Sequence, residues 1–394
     1  GATPVPFTVI AGLTNIDRGE MTQNVPKPPN LLAWAQKQKL VASDSEAGDW
    51  LAENTTISSD GKILVVGAKT SSPDGLSNAG SVYVFQNGSE GYQEVQKLTS
   101  SDIEVGDYFG SPAQLSLDGK ILAVAATLED PTGVFAAGSV YIFQSGSSGY
   151  QEIQKLTGSD LGSSRAFGEN ISMNSDGKVL AIGVQYDDPA GLVDAGSVYI
   201  FASGSGGYQQ VQKLTASDAT AGDRFGNITS MTADGKILAV GAYLEDPAGL
   251  VDAGSVYIFA SGSGGYQEAQ KLTASFGTDG LPEVSPQGDQ FGLSVTFSAT
   301  GETLAVGAWA DEENGTFAGA VYIFQSGSTG YQQIDKLIAS GDADPSYDAF
   351  GASLACTTDG NTLIVGAIFD EEGGGGNSYD GAGSVYVFRY TRDY

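Results

Sequence analysis

The sequence predicts an all-β protein, a six-bladed β-propeller of four-stranded antiparallel blades closed by the N-terminal strand. Three observations predict it: a strand motif occurs six times at a near-constant interval, each copy holds segments for four short strands, and the outer-strand motif occurs once more before the first copy. The composition agrees, because 56 glycines suit many tight turns and 41% hydrophobic residues suffice for a core. A propeller commonly uses a chain of about this length as one unit, and the sequence has 394 residues.

The repeated motif reads Gly-Ser-Val-Tyr, with Ala for Ser in one copy, followed by Val or Ile and Phe. The intervals between copies are 58, 58, 58, 65 and 64 residues. Self-similarity at such a period indicates one supersecondary unit copied in series. The copies of the motif begin at Gly80, Gly138, Gly196, Gly254, Gly319 and Gly383.

The fourth copy shows the four strands. Residues 225–231 form the predicted inner strand, and Asp234-Gly235 predicts a type I′ hairpin turn. The apolar run 237–242 suits burial on both faces, and 255–259 alternates as a half-buried strand. Residues 266–272 form the outermost strand, with a lysine near its end that we expect to discourage edge-to-edge pairing. Equivalent lysines are Lys97, Lys155, Lys213, Lys271 and Lys336.

Closure of the ring is predicted from the two ends of the repeat. Residues 34–40 match the outer strand of the first copy, residues 92–98, whereas the sixth copy ends just after its third strand. We therefore expect residues 34–40 to lie alongside residues 384–388, which would remove two exposed sheet edges. The residues assigned to this closure strand are Trp34, Gln36, Gln38 and Leu40.

Residues 1–33 read as an extended N-terminal arm. A seventh blade is the alternative, but this stretch lacks the Asp-Gly hairpin and the Val-Tyr strand and carries five prolines. Its apolar run includes Phe7, Val9 and Ile10, which could pair with a neighbouring molecule. The propeller then spans 34–394, with copies at roughly 34–92, 93–150, 151–208, 209–266, 267–331 and 332–394.

Two segments of the second copy resemble a repeat of a known family. Asp107-Tyr108-Phe109-Gly110, followed by residues 117–126, is similar to the FG-GAP repeat of integrin-α-type propellers, in the variant found in microbial and algal surface proteins. The resemblance implies an extracellular propeller with calcium loops at the first hairpin. This sequence departs from that pattern, because the hairpins carry at most one carboxylate each, and calcium requires six to eight oxygens. The family's calcium site is therefore not expected there.

The rim that holds the inter-blade connections and the loop after each second strand is predicted to be acidic. Pairs of acids recur in these loops and are candidate calcium ligands together with loop carbonyls; the alternative is that each pair begins a turn. The candidates are Glu129, Asp130, Asp187, Asp188, Glu245, Asp246, Asp252, Asp311, Glu312, Asp370 and Glu371.

A second set of aspartates stands two residues before the Phe-Gly position. An aspartate before a tight turn commonly accepts local backbone N–H groups, so a structural role is expected. Arg165 replaces the aspartate in the third copy and should make that blade unlike the others. The set comprises Asp49, Asp107, Asp223, Asp289 and Asp348.

Composition limits the function. Forty-seven acidic against 18 basic residues give a formal charge of −29, which argues against nucleic acid as a partner and favours cationic ones. No histidine is present and Cys356 is the single cysteine, so the usual zinc sites and disulfides are excluded. No run of 18 apolar residues occurs, so no transmembrane segment is expected. The sequons at Asn87 and Asn314 are the accessible candidates for glycosylation and fit a secreted protein.

Three functions fit these observations. The first is an extracellular, non-enzymatic module for adhesion or for binding a protein or glycan ligand at the acidic rim, with calcium as its one candidate cofactor. The second is a structural subunit that assembles with copies of itself through the N-terminal arm, since a heterologous contact that does not close makes a filament. The third is a carbohydrate-active enzyme that uses rim carboxylates. The near-identity of the rim loops among copies argues against a single active site.

Overall fold

The computed structural model describes residues 37–163, 165–274, 288–339, 346–370 and 383–390. Their strands form six antiparallel sheets in chain order, and helix is confined to short 3-10 turns. The predicted six-bladed β-propeller is therefore confirmed. None of the helices in the described ranges is long and apolar enough to cross a membrane.

Each blade is one sheet whose strands pair in sequence order. Blade 1 contains β1 Thr55–Ile57, β2 Ile63–Ala68, β3 Ser81–Gly88 and β4 Gly91–Leu98; blade 2 contains β5 Phe109–Leu115, β6 Ile121–Ala126, β7 Ser139–Gly146 and β8 Gly149–Leu156; blade 3 contains β9 Asn170–Met173, β10 Val179–Val184, β11 Ser197–Gly204 and β12 Gly207–Leu214. Blade 4 contains β13 Thr229–Met231, β14 Ile237–Ala242, β15 Ser255–Gly262 and β16 Gly265–Leu272; blade 5 contains β17 Phe291–Phe297, β18 Thr303–Ala308, β19 Ala320–Gly327 and β20 Gly330–Ile338; blade 6 contains β21 Phe350–Cys356, β22 Thr362–Ala367 and β23 Ser384–Arg389.

The hairpin between the first two strands differs from the predicted type I′ turn. In blade 4 the Gly235 N–H donates to the Thr232 carbonyl at 2.9 Å, and Gly235 has φ +69°, whereas Asp234 is not among the residues with positive φ. A type I′ turn needs positive φ at both central residues, so the type I′ prediction was wrong. The loop is a type I turn followed by a left-handed glycine, and the Asp234 carboxylate holds it by accepting the Lys236 N–H at 3.0 Å.

The core lies between neighbouring blades. Between blades 3 and 4, Val198 and Ile200 of one sheet pack against Phe225 and Tyr257 of the next, and all four are fully or nearly fully buried. The Phe225 ring meets the Tyr257 ring edge to face at 5.5 Å between centroids. The repeated aromatic positions therefore serve inter-blade packing.

In blades 1 to 5 the glycine that opens the repeated motif is required by close backbone approach. Gly196 has φ +87°, and a Cβ there would lie 2.0 Å from the Phe225 carbonyl oxygen of the next blade. The Phe225 N–H donates to the Ala195 carbonyl at 2.9 Å at the same place. Only glycine permits this contact, which in blades 1 to 5 links the third strand to the Phe-Gly segment that follows it.

The outer strands carry a β-bulge that the sequence pattern did not reveal. In blade 3, Ile200 pairs with Gln212 and Phe201 with Gln210, so Val211 is the extra residue and is 59% exposed. Bulges of this kind protect an edge strand from pairing with other chains.

The N-terminal segment lies against blade 1 as a preceding outer strand would. The Gln38 side chain accepts the Tyr92 N–H at 2.9 Å and donates to the Tyr92 carbonyl at 2.7 Å. The Ser43 N–H and hydroxyl donate to Glu94. The same glutamine-to-tyrosine contact joins the other neighbouring outer strands, as in Gln96–Tyr150, Gln154–Tyr208, Gln212–Tyr266 and Gln270–Tyr331.

The other half of the predicted closure is not formed among the described residues. Lys37–Leu40 is not a strand, the sixth sheet has three strands, and the β23 residues Val385 and Val387 are 68% and 54% exposed. Within the described ranges the last blade therefore shows three strands. Trp34 and Gln36 lie outside those ranges, as do Phe7, Val9 and Ile10 of the arm, so closure by strand pairing stays a prediction.

Candidate functional site: the loop rim

The loop rim consists of the loop after the second strand of each blade and the connection that enters the blade. In blade 4 these two segments meet at Lys271. Its ammonium group bonds the Asp218 carboxylate of the entering connection at 2.7 Å and the Glu245 carboxylate of the loop at 2.9 Å. In blades 2 to 4 a lysine from the outermost strand therefore brings the two rim acids together.

The first acid of each pair is buried and already bonded. Glu245 is 7% exposed, and its second carboxylate oxygen accepts the Ser255 hydroxyl at 2.5 Å. Asp311 is 1% exposed and accepts the Tyr322 hydroxyl at 2.7 Å and Lys336 at 2.9 Å. Buried carboxylates need such partners. The other first acids, Glu129, Asp187 and Asp370, are 7%, 4% and 5% exposed.

The lysines differ from their predicted role at the sheet edge. Lys271 is half-buried, and its Nζ lies 5.2 Å from the centre of the Tyr257 ring. Burial alone would lower the pKa of Lys271, but its bonds to Asp218 and Glu245 outweigh burial and raise that pKa. The ammonium group of Lys271 lies between two carboxylates, so preventing edge-to-edge strand pairing is not its main role. Equivalent pairings are Lys155 with Asp102 and Glu129, and Lys213 with Asp160 and Asp187.

The second acid of three pairs closes its own loop. Asp246 accepts the Asp252 N–H at 2.8 Å, and Asp188 accepts the Asp194 N–H at 2.8 Å. In blade 2, Asp130 accepts the Ala136 N–H at 2.6 Å. This geometry is that of a turn-forming carboxylate. Asp252 itself is half-buried, and burial and the nearby Asp246 raise the pKa of its carboxyl group.

The acids of the rim loops are not gathered into one cluster in the described part of the chain. No three His, Cys, Asp or Glu side chains there lie together where they could hold a metal ion. Calcium needs six to eight oxygens, whereas the oxygens of Glu245 and Asp246 already accept protein hydrogen bonds. Glu312 is half-buried beside Asp311, and Glu371 lies outside the described residues. Calcium binding stays a prediction.

The aspartates before the Phe-Gly position hold the entering connection. Asp107 is 4% exposed and accepts the Glu104 N–H at 2.6 Å, and Asp223 accepts the Thr220 N–H and hydroxyl, each at 2.6 Å. Burial raises the pKa of Asp107 to about 6, and the neighbouring carboxylate of Glu129 adds to the rise. These contacts are structural.

Blades 3 and 4 carry two arginines that break the repeat. Arg165 bonds the Asp188 carboxylate with both terminal nitrogens and donates to the Tyr186 carbonyl at 2.5 Å. Arg224 bonds Asp194 at 3.2 Å, and its guanidinium lies 4.3 Å from the centre of the Tyr186 ring. Sequence reasoning identified Arg165 as anomalous and missed Arg224. The signal for Arg224 was a basic residue immediately before Phe-Gly in an acidic chain.

Beside these arginines lies a half-buried acid, Glu169, that sequence reasoning also missed. Glu169 accepts the Gln185 amide at 2.8 Å, and burial raises the pKa of its carboxyl group to about 7. The Arg224 charge lowers that pKa and so partly offsets burial. Blades 3 and 4 thus differ in charge from the rest of the rim.

Exposed apolar side chains stand at one position of the rim loop in three successive blades. Phe135, Val193 and Val251 each lie two residues after the glycine of the Pro-x-Gly turn and are 66%, 60% and 62% exposed. In blade 1 the position is occupied by Ser77. This row was not predicted, although aligning the copies at the Pro-x-Gly turn shows it.

The two glycosylation candidates differ in their surroundings. Asn87 is exposed at the end of β3. Asn314 is half-buried, and its amide donates to the Ala339 carbonyl at 3.2 Å. The Asn87 amide also donates to a carbonyl, that of Gly61 at 3.4 Å, so a glycan would displace a bond at either site. Asn87 is the more accessible acceptor because its side chain is exposed.

Six segments of the chain match the model of the FG-GAP repeat: residues 34–85, 92–143, 150–201, 208–259, 266–324 and 331–388. The chain belongs to the FG-GAP repeat family. No curated protein matches the sequence. FG-GAP membership accounts for the spacing of the rim loops, because each match covers one outer strand and the first three strands of the next blade.

Solved structures resemble this FG-GAP propeller in fold. Hydrazine synthase of Kuenenia stuttgartiensis superposes with a TM-score of 0.53 at 16% identity, over 86% of this chain and 84% of that chain. A functionally unknown protein from Desulfotomaculum acetoxidans gives a TM-score of 0.50 at 13% identity, over 80% of this chain and 78% of that one. At these identities the likeness shows the fold alone.

Proposed function

We propose that this chain is a non-enzymatic, extracellular binding module that takes a protein ligand on the loop rim of blades 2 to 4. The observation that carries the proposal is the row of exposed apolar residues Phe135, Val193 and Val251 on successive blades. Loops held by a rigid scaffold are common binding elements, and apolar side chains flanked by charge are typical anchors of protein interfaces.

The electrostatics support a ligand with basic groups. The formal charge is −29, and the rim loops contribute many of the acids. Charge complementarity of this kind raises association rates and selects partners more than it raises affinity. A ligand with an apolar patch bordered by Lys or Arg fits both features. FG-GAP membership and the exposed sequon at Asn87 support an extracellular location.

Substitution of the row tests the proposal. In the rim variant Phe135, Val193 and Val251 are changed to Ser; in the matched control, the equally apolar and comparably exposed outer-strand residues Val95, Ile153 and Val211 are changed to Ser. Both proteins are immobilised beside the unchanged chain and exposed to extracellular extract from the natural source, and the retained proteins are quantified by mass spectrometry. We expect one partner to be lost tenfold or more from the rim variant only, since each anchor contributes about 1 kcal/mol or more. Equal retention by both variants contradicts the proposal.

Assembly through the N-terminal arm stays the second candidate. The arm lies outside the described residues, and the specific observation in its favour is the exposed edge of β23, where Val385 is 68% exposed. Sizing of the protein with and without residues 1–30 tests it. Loss of a polymer on truncation supports a structural subunit, and an unchanged monomer removes this candidate.

A further inference from the structure

Blade 1 departs from the other blades at the buried acid of the loop rim. The position of the first acid in blades 2 to 6 is held in blade 1 by Ser71, which is 2% exposed. In blade 2 the corresponding Glu129 carboxylate accepts the Ser139 hydroxyl at 2.5 Å and Lys155 at 2.7 Å. The five other blades therefore place a carboxylate where blade 1 has only a hydroxyl group.

The groups that would hold this carboxylate are retained in blade 1. Lys97 bonds Asp44 at 2.6 Å, one carboxylate where Lys155 has two. The hydroxyl groups of Ser71 and Ser81 are buried and have no hydrogen-bond partner. Ser81 is the counterpart of Ser139, which donates to Glu129. Ser197 of blade 3 also lacks a partner beside the shorter Asp187, so Ser71 is the observation specific to blade 1. A buried hydroxyl without a partner is costly.

Ser71 lines a cavity at the surface. The cavity has a volume of about 430 Å³ and is lined also by Asp44, Tyr83 and Lys97. One water occupies about 30 Å³ of liquid, so the cavity holds more than a single ion or water. Glu46, Asp49 and Asp74 line its outer part, which disfavours ligands with several negative charges.

We propose that this cavity, the blade-1 notch, binds the carboxylate group of a ligand whose remainder is neutral or cationic. The carboxylate takes the place that Glu129 holds in blade 2 and accepts hydrogen bonds from Lys97 and Ser71, which both line the cavity. The outer acids then face the remainder of the ligand. The inference is independent of the protein ligand of blades 2 to 4, because the notch lies in blade 1 and shares no residue with the exposed row.

Thermal stability in the presence of carboxylates tests the notch. The probes are sodium acetate, sodium chloride at equal ionic strength, N-acetylglycylglycine and the amide of that peptide. We expect acetate and the peptide acid to raise the Tm of the unchanged protein by about 1–2 °C at saturating concentration, and chloride and the amide to leave it unchanged, because binding to the folded state alone stabilises it. A larger rise with the peptide acid than with acetate identifies a peptide terminus as the source of the carboxylate, and equal rises identify a small free carboxylate.

Two variants make the test specific. Ser71→Glu supplies the missing carboxylate from within, so it should raise the Tm and abolish the response to acetate. Glu129→Ser creates the same notch in blade 2, so it should lower the Tm and increase the response to acetate. If Glu129→Ser does not fold, Glu245→Ser replaces it in the test, because it creates the notch in blade 4. The proposal is overturned if the unchanged protein does not respond, if chloride acts as strongly as acetate, or if Ser71→Glu responds as the unchanged protein does.

Discussion

The seam between blades 3 and 4 and the seam between blades 6 and 1 present nearly the same sequence in different surroundings. Val198 and Ile200 of β11 are 0% and 1% exposed, because blade 4 covers them. Their counterparts Val385 and Val387 of β23 are 68% and 54% exposed in the described part of the chain. Burial of this strand face is thus set by the neighbouring blade and not by the strand itself.

The comparison shows what closure of the ring must supply. The outer strand of the preceding blade also takes part in an interior seam. Leu214 of β12, for example, packs in the same cluster as Tyr257 of blade 4. On the blade 1 side of the last seam, Leu40 already packs against a cluster that contains Tyr83 and Phe85. The missing element is the pairing of this segment with β23, which would cover Val385 and Val387 and the unpaired edge of the sheet.

The largest effect on stability is expected from an engineered disulfide across the seam between blades 6 and 1. In the interior blades Val82 pairs with Leu98 and Val198 with Leu214, and the same register pairs Val385 with Leu40. Leu40→Cys with Val385→Cys, in a Cys356→Ser background, should form an intramolecular disulfide. The bond closes a loop of most of the chain, so we expect a gain of about 4–5 kcal/mol in the free energy of unfolding. Non-reducing gel mobility and the Tm measure it.

The matched control is Val82→Cys with Leu98→Cys in the same background, since these residues are paired directly in blade 1. This disulfide should form whatever the state of the last seam. Disulfide-linked multimers of the seam variant alone would show that the partner of β23 is a second copy. A seam variant that stays reduced while the control is oxidised would show that the two segments do not pair.

A smaller effect is expected from the lysines of the two seams. Lys271→Met leaves the buried Glu245 and its neighbour Asp218 without their cation, which should cost about 3 kcal/mol. In a closed last seam Lys39 reaches Asp370 as Lys271 reaches Glu245, so we expect Lys39→Met to cost about 1–3 kcal/mol as well. Urea unfolding of both variants provides the measurement.

The control for the lysines is Lys62→Met. The Lys62 side chain is 69% exposed and pairs with Asp60 at the opposite rim, so its replacement should change stability by about 0.5 kcal/mol at most. If Lys39→Met changes the free energy of unfolding no more than Lys62→Met does, the last seam lacks the ion pair that the interior seams share.

The sequence predicted the blade architecture because each blade repeats one pattern. The apolar run of β14, the Asp-Gly hairpin and the alternation in β15 were all visible at fixed offsets. The direction of Lys271 was not predictable, because the bulge in the outer strand changes the alternation between Tyr266 and Leu272. Its partner Asp218 lies 53 positions away, in the connection that enters blade 4. No local sequence pattern shows a contact over this separation.

The difference at Ser71 could have been found by aligning the copies, since the five other copies have an acid there. Its consequence required the structure. The sequence does not show that the acid is buried between a serine and a lysine, and hence that its loss leaves donors without a partner. The exposed row of Phe135, Val193 and Val251 was missed for a different reason. Apolar residues in a propeller repeat are expected to be buried, so their exposure was not anticipated.

The smallest expected effect is a pH dependence that separates an interior connection from the one that enters blade 1. The pKa of Asp107 is about 6 in the folded protein against a usual 3.8, so its protonated form stabilises the fold. This contribution is complete below about pH 4 and is lost as the pH rises through 6. Asp107→Asn should therefore gain about 1 kcal/mol relative to the unchanged protein between pH 5 and pH 7. Asp49→Asn is the matched control, because Asp49 accepts the Glu46 N–H at 2.6 Å in the same way. It lines a cavity with Ser71, the residue that replaces the buried glutamate in blade 1. Urea unfolding at the two pH values measures both, and an equal change in the two variants would show that burial beside Glu129 is not the cause.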